Sequence, residues 1–256
     1  MKIAVCVKHV PDGRVRLDPG TKRIDRSGDG ALNRVDSNAL EEALRLKDSS
    51  QADVVLVSLG PPGATESLLT GLALGADRAV LVSDPLAEGS DLVATSRLLA
   101  AALERESPDL VLFGQQSSDG AGGLLWGAVA ERLRRPLVSQ AAELAVGDGS
   151  VRVTRQSESG DDVIDAPLPA LVGVSDSINE PRYASLRGRM GAKKKPMDVL
   201  ALGDLGVSPE EAGEAGSRTV VLGIVPPAAR GSTVRLEDAE AAPAAIVEFL
   251  VGRDLL

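Results

Sequence analysis

The residues of this 256-residue chain that could do chemistry form a binding site, with no catalytic constellation among them. The richest run is Gly114 to Gly123, GQQSSDGAGG, with four glycines that let the backbone approach a ligand closely. Ser117, Ser118 and Asp119 can cap a helix or hydrogen-bond a ligand, and the helix expected to follow offers free N–H groups to a phosphate. Binding of an adenine nucleotide or a similar anion is one reading. A tight strand-to-helix turn with no ligand is the other. The run matches neither GxGxxG nor a phosphate loop, since no Lys-Ser/Thr follows the glycines.

Three more segments follow predicted strands or precede a helix and can converge on the same crevice: Cys6 to Pro11, Asn33 to Asp36 and Leu59 to Gly63. Asn33 can be a helix N-cap, the favoured reading from pattern, or a donor to a ligand. Lys8 can meet a phosphate or stand as an ordinary lysine at a strand end. His9 is the only histidine and Cys6 the only cysteine, so no zinc cluster, no disulfide and no Ser/His/Asp arrangement independent of His9 can be assembled. Cys6 lies in an apolar strand and reads as packing. The pairs Glu41-Glu42 and Asp161-Asp162 read as solvated charges, and Trp126 as core.

A second feature is electrostatic. Asn179 to Lys195, NEPRYASLRGRMGAKKK, holds six basic residues against one acidic residue, a local charge of +5 in a chain of net charge −9, so the remainder carries −14. With Pro181, Gly188 and Gly191 as breakers and the chain's only tyrosine, it reads as an exposed, loop-like probe for one partner with an acidic patch. General binding to nucleic acid or anionic lipid is disfavoured by the overall charge, and 2% aromatics supply no base-stacking platform. The start of the chain lacks a signal pattern and no run of about 18 apolar residues occurs, which predicts a cytoplasmic protein without direct membrane insertion.

These groups must be positioned by alternating elements. Ile3 to Val7, Val54 to Ser58, Ala79 to Val82 and Leu110 to Phe113 are almost continuously apolar, as strands covered on both faces are. Ser37 to Leu46, Ala64 to Leu74, Asp91 to Leu103 and Gly120 to Leu133 read as helices between and after them. The fold class is α/β: a doubly wound, mostly parallel sheet with a β-hairpin and an extended C-terminal arm. The hairpin joins Ala141 to Val146 and Val151 to Gln156 through Gly147-Asp148-Gly149-Ser150. Ala170 to Val174 is another buried strand, Asp204 to Gly216 is linker-like, Thr219 to Val225 a late strand, Pro226-Pro227 the start of the arm, and Ala244 to Leu250 a short helix. The expected division is an α/β nucleotide-binding domain over 1–207, carrying the basic segment 179–195, and a linker, strand and arm over 208–256.

The run NEPRYASLRGRMGAKKK resembles the signature of the beta subunit of electron transfer flavoproteins. VCVKHVPD, NRVDSNALEEALRLK, GADRAVLVSD, DLVLFGQQSSDG and GDLGV fall in family order around it, so the resemblance covers nearly the whole chain. It implies an electron-carrier subunit with no catalytic residues of its own. Its partner is an alpha subunit in a heterodimer whose FAD, held mostly by alpha, takes electrons from dehydrogenases such as acyl-CoA dehydrogenases, in fatty acid oxidation, to a quinone reductase. It implies a structural AMP, with the cofactor segments falling on Cys6, Asn33 to Asp36, Leu59 and Gly114 to Leu125. With Lys8 added from the pattern, the expected cofactor residues are Cys6, Lys8, Asn33, Asp36, Leu59, Gly114, Gln115, Ser117, Asp119, Gly120, Gly122, Gly123, Leu124 and Leu125. The implied partner-docking residues are Arg182, Tyr183, Leu186, Arg187, Arg189, Met190, Lys193 and Lys194, with Leu186 as the apolar anchor. Ser117-Ser118 stands where many members have Ala-Ile. Two alternatives are a bifurcating-type beta subunit with a second FAD in place of AMP, and an adenine-nucleotide-sensing module without redox chemistry.

Overall fold

The computed structural model describes residues 1–225 and 235–256, in two compact units, Met1–Val221 and Leu222–Leu256. The strands in chain order are β1 (Lys2–Cys6), β2 (His9–Pro11), β3 (Leu17–Asp18), β4 (Arg23–Ile24), β5 (Gly30–Leu32), β6 (Asp53–Leu59), β7 (Arg78–Val82), β8 (Leu110–Gly114), β9 (Leu137–Gly147), β10 (Ser150–Ser157), β11 (Gly160–Pro167), β12 (Ala170–Val174) and β13 (Met197–Leu200). The helices are α1 (Arg34–Ser50), α2 (Thr65–Leu74), α3 (Leu92–Glu106), α4 (Leu125–Leu133), α5 (Leu186–Ala192), α6 (Gly213–Gly216) and α7 (Ala242–Val251).

One nine-stranded sheet organises the first unit, in the order β11-β10-β9-β12-β8-β1-β6-β7-β13. The pairs from β9 through β13 are parallel, and β9, β10 and β11 pair antiparallel. Strand residues alternate between two cores, as a period of two requires. Ile3, Val5, Leu56 and Leu112 pack with Leu40, Leu44, Leu68 and Leu72 of α1 and α2. Ala4, Val55, Val57 and Val111 pack with Leu99, Leu103 and Val129 of α3 and α4 on the opposite face. The sheet is therefore doubly wound. From β1 the chain moves one way to β6, while β8 lies on its other side, which makes the gap between β1 and β8 the topological switch point.

Several expectations change. The expected hairpin forms between β9 and β10, and a strand not expected extends it to a three-stranded meander: β11 pairs along β10 with Arg152 opposite Asp165 and Arg155 opposite Asp162, so Asp161-Asp162 sits on an edge strand. Acidic residues there leave the sheet edge unattractive for further pairing. The 204–216 stretch is no linker, since Val207 and Ala212 are buried with Leu98 of α3, and residues 208–221 belong to the first compact unit. Thr219 to Val225 forms no strand. Its valines and Leu222 are exposed and no neighbouring strand is available among the described residues, while Asp91 Oδ2 accepts from the N–H groups of Arg218 and Thr219 just before them. Pro226-Pro227, the expected start of the arm, lies outside the described residues. In the second unit α7 forms as expected, with Ile246, Val247, Phe249 and Val251 half exposed. Among the described residues no helix is long and apolar enough to cross a membrane.

Candidate functional site

The carboxyl ends of β1 and β8 meet the start of α1 at the switch point, and hydrogen bonds fasten the three together. Asn33 N–H donates to the Lys8 carbonyl at 2.9 Å, and Lys8 N–H donates to Asp36 Oδ2 at 2.8 Å. Asn33 makes no side-chain cap, contrary to the pattern reading. Its side chain instead grips the glycine-rich loop: Nδ2 donates to the Gln116 carbonyl at 3.0 Å and Oδ1 accepts from Ser118 N–H at 3.0 Å. Only a tertiary partner 85 residues away in sequence could outcompete the local cap, and nothing near Asn33 announces it.

Gly114 ends β8 against this helix. A side chain there would strike the Asp36 carboxylate and the Val35-Asp36 backbone, so this glycine is required by close approach. Beyond it, Gln115 N–H donates to Val174, and the Gln115 carbonyl accepts from Trp126 Nε1 at 3.1 Å, which pins the loop at both ends. Helix α4 begins at Leu125 rather than Gly120, so Gly120 to Leu124 is loop. Ala121 sits within it at φ 47, a left-handed conformation that costs a residue with a Cβ. Gly122 faces open space and Leu124 is 68% exposed.

Of the expected cofactor residues, Lys8, Asn33, Asp36, Gly114, Ser117, Asp119 and Gly120 are thus drawn into one hydrogen-bonded cluster, while Gln115 bonds instead to Val174 and Trp126. Cys6 lies beneath it, buried at the end of β1, its thiol pushed well up by burial and then by Asp36. That places it as inert packing. Leu59 ends the adjacent strand and packs downward into the apolar core, so its side chain is not part of the cluster. Gly122, Gly123 and Leu124 form the outer rim, while Leu125 opens α4 and packs against the apolar core with Leu59. Asp36 is buried, and burial pushes its carboxyl up to about 7 against donors at Asn33, Lys8 and Gly114. Asp119 behaves oppositely. Burial would raise it, but Lys8, Arg26 and Ser117 hold it well below the usual carboxylate range. A glycine loop with accessible backbone and a lysine can hold an anionic ligand, so the donor set fits a nucleotide phosphate. The cleft of about 530 Å³ elsewhere on the unit, lined by Glu88, Glu210 and Glu214 against Arg23, has the wrong sign of charge for one.

The basic segment is more ordered than its composition suggests. Ser185 Oγ accepts from Gly188 N–H at 3.0 Å and caps α5, and Gly188 allows that helix to lie on α2, where a Cβ would meet the Ala73 carbonyl. Gly188 therefore serves close packing and not a break. Arg182, one of the implied docking residues, is engaged within the chain: Glu41 Oε2 accepts from its Nε at 2.8 Å and its N–H at 3.1 Å, and Asp48 accepts from NH2 at 2.9 Å. Asn179 Nδ2 donates to Glu42 Oε2 and to the Asn38 carbonyl, both at 3.0 Å. Glu41 and Glu42 are buried, not solvated. Lys195 donates to the Leu72 and Ala76 carbonyls at the end of α2, satisfying groups a helix leaves unpaired. What faces outward is Tyr183, Leu186 and Met190, at 93%, 76% and 71% exposure, with Arg187, Arg189, Lys193 and Lys194 also exposed around them.

The family described as "Electron transfer flavoprotein domain" matches residues 21–205. The chain is 40% identical over 235 residues to "Caffeyl-CoA reductase-Etf complex subunit CarD" of Acetobacterium woodii, covering 90% of each chain. It is 34% identical over 263 residues to "Electron transfer flavoprotein subunit beta" of Mycobacterium bovis, covering 99% of each, and 37% identical over 223 residues to the Clostridium acetobutylicum protein of the same name, covering 86% of each.

Two outcomes follow from the buried carboxylates. Folding raises the Asp36 pKa from 3.8 to about 7, so its favourable contribution is complete below about 3.8 and is lost as pH rises through about 7. Asp36→Asn keeps an acceptor for Lys8 N–H and does not ionise. Relative to wild type it should gain stability between pH 4 and pH 7, by up to about 4 kcal/mol, in denaturant titrations at stepped pH. Glu41→Ala removes three acceptor contacts of Arg182 and leaves it Asp48 alone, with its side chain 36% exposed and therefore partly screened by solvent. The expected loss is about 2 kcal/mol of stability, with faster tryptic cleavage after Arg187 and Arg189.

Proposed function

From the premise that this chain belongs to the electron transfer flavoprotein family, as a beta subunit, we propose that it pairs with an alpha subunit and carries a structural AMP at the β1/β8 crevice. The family role is electron transfer. The observation that carries the nucleotide reading is the convergence of Lys8, Asn33, Asp36 and the glycine-rich loop on the switch point, with Gly120 to Gly123 free for close approach. AMP would lay its phosphate toward Lys8 and the loop N–H groups. The FAD of the heterodimer, held mostly by the alpha subunit, supplies the redox chemistry when bound. This chain contributes scaffold and docking surface.

The docking reading rests on the Tyr183, Leu186 and Met190 face. Leu186 and Met190 are four residues apart on α5 and so share one side of the helix. An apolar anchor in a ring of four exposed cations suits a transient partner: the anchor gives a small dry contact, and the charges speed encounter with an acidic surface. Dehydrogenases are the proposed electron donors, acyl-CoA dehydrogenases among them, and a quinone reductase the acceptor. The exposed valines at 220, 221 and 225 and the half-exposed apolar residues of α7 are surfaces that an alpha subunit would cover.

The 40% identity to the Acetobacterium woodii subunit favours one second reading, a bifurcating-type subunit with FAD in place of AMP. Denaturing the purified heterodimer and separating the released nucleotides by liquid chromatography distinguishes the two. One FAD and one AMP per heterodimer is the expected result. Two FAD would establish the second reading, and no AMP with a single FAD would remove both.

A further inference from the structure

We propose that Arg26, from the segment between β4 and β5, is a phosphate-binding residue of the nucleotide site, preset with Lys8 by the buried carboxylate of Asp119. The inference rests on the nucleotide reading above and adds a residue from a part of the chain outside every expected cofactor segment. Asp119 has no exposed side-chain surface, yet it is an acceptor shared by two cations: Lys8 Nζ reaches Oδ1 at 2.8 Å and Arg26 NH2 reaches Oδ2 at 2.5 Å. Its own loop adds Gly120 N–H on Oδ1 at 2.7 Å, and Lys8 Nζ also lies 3.3 Å from Ser117 Oγ.

The charges do not cancel. Lys8, Arg26 and Asp119 together sum to +1, with Asp36, its carboxyl raised to about 7, beside Lys8, and the cationic side chains remain 39% and 36% exposed while the Asp119 carboxylate is sealed beneath them. Lys8 Nζ lies about a side-chain contact from Gly120, at 3.9 Å from where a Cβ would stand, so the positive surface adjoins the glycine loop. Arg26 is steered from its other side by the His9 carbonyl, 3.5 Å from NH1. Those two contacts leave guanidinium N–H donors for phosphate oxygens, whose planar fork geometry arginine matches and lysine does not. Asp119 is thus a positioning residue. The segment carrying Arg26 forms a second wall of the crevice, facing the loop.

The test uses the nucleotide-depleted heterodimer and isothermal titration with AMP, ADP and adenosine at low salt. Arg26→Ala should weaken AMP about tenfold and leave adenosine within about twofold, the adenosine value serving also as proof that the variant site is folded. Arg26→Lys should restore part of the loss, and salt should weaken AMP binding less in Arg26→Ala than in wild type. AMP affinity that is unchanged or tighter in Arg26→Ala, with wild type binding AMP, overturns this inference alone. Failure of wild type to bind AMP or ADP overturns the nucleotide site and this inference together.

Discussion

Glu41, almost wholly buried on α1, accepts three hydrogen bonds from Arg182, and the placement of the basic segment depends on that contact. A carboxylate taken from water is tolerable only when paired and hydrogen-bonded, and Arg182 meets both conditions with its backbone as well as its guanidinium. Removing Arg182 would leave buried Glu41 with only the longer 3.4 Å contact from Arg45 Nε. Asn38, one turn back, and Glu42, the next residue on, repeat the device with Asn179. The opening residues of the basic segment are therefore clamped, and α5 is free to present its apolar face.

The same helix begins at the other site. Asn33 and Asp36 at its start bind the glycine loop and the strand-end at Lys8, while Asn38, Glu41 and Glu42 hold the docking segment further along. Both positions follow from β1, which brings α1 in beside β8 at the centre of the sheet. Electrostatics divides the labour. Asp36, Glu41 and Glu42 on α1 are buried and hydrogen-bonded, while exposed cations stand at the crevice rim and around α5.

Much of this was legible from residue patterns. Continuously apolar runs located the parallel strands because strands covered on both faces have no polar side to reveal. The glycine loop was legible because close backbone approach demands glycine. What escaped shares one physical cause, dependence on partners distant in sequence. Glu41 and Glu42 look like surface charges on an amphipathic helix until Arg182 and Asn179 arrive from 137 to 141 residues away. Gly188 looks like a breaker until α2 lies beneath it, and Asn33 like a cap until Ser118 and Gln116 claim its amide. Strand β11 hid because its aspartates pair with arginines across the meander, and Arg26 hid because its acceptor is 93 residues on. The run 219–225 misled in the other direction: apolar content alone does not make a strand without a ladder partner.

The central claim is that the Leu186 face of α5 receives the electron donor. It is tested most directly by stopped-flow reduction of the heterodimer's flavin by a substrate-reduced acyl-CoA dehydrogenase, comparing wild type with Leu186→Ala. The account predicts a second-order rate lower by about tenfold in the variant, with flavin content unchanged and the wild-type rate falling as salt rises. Equal rates for the two proteins, at full flavin content, would contradict it.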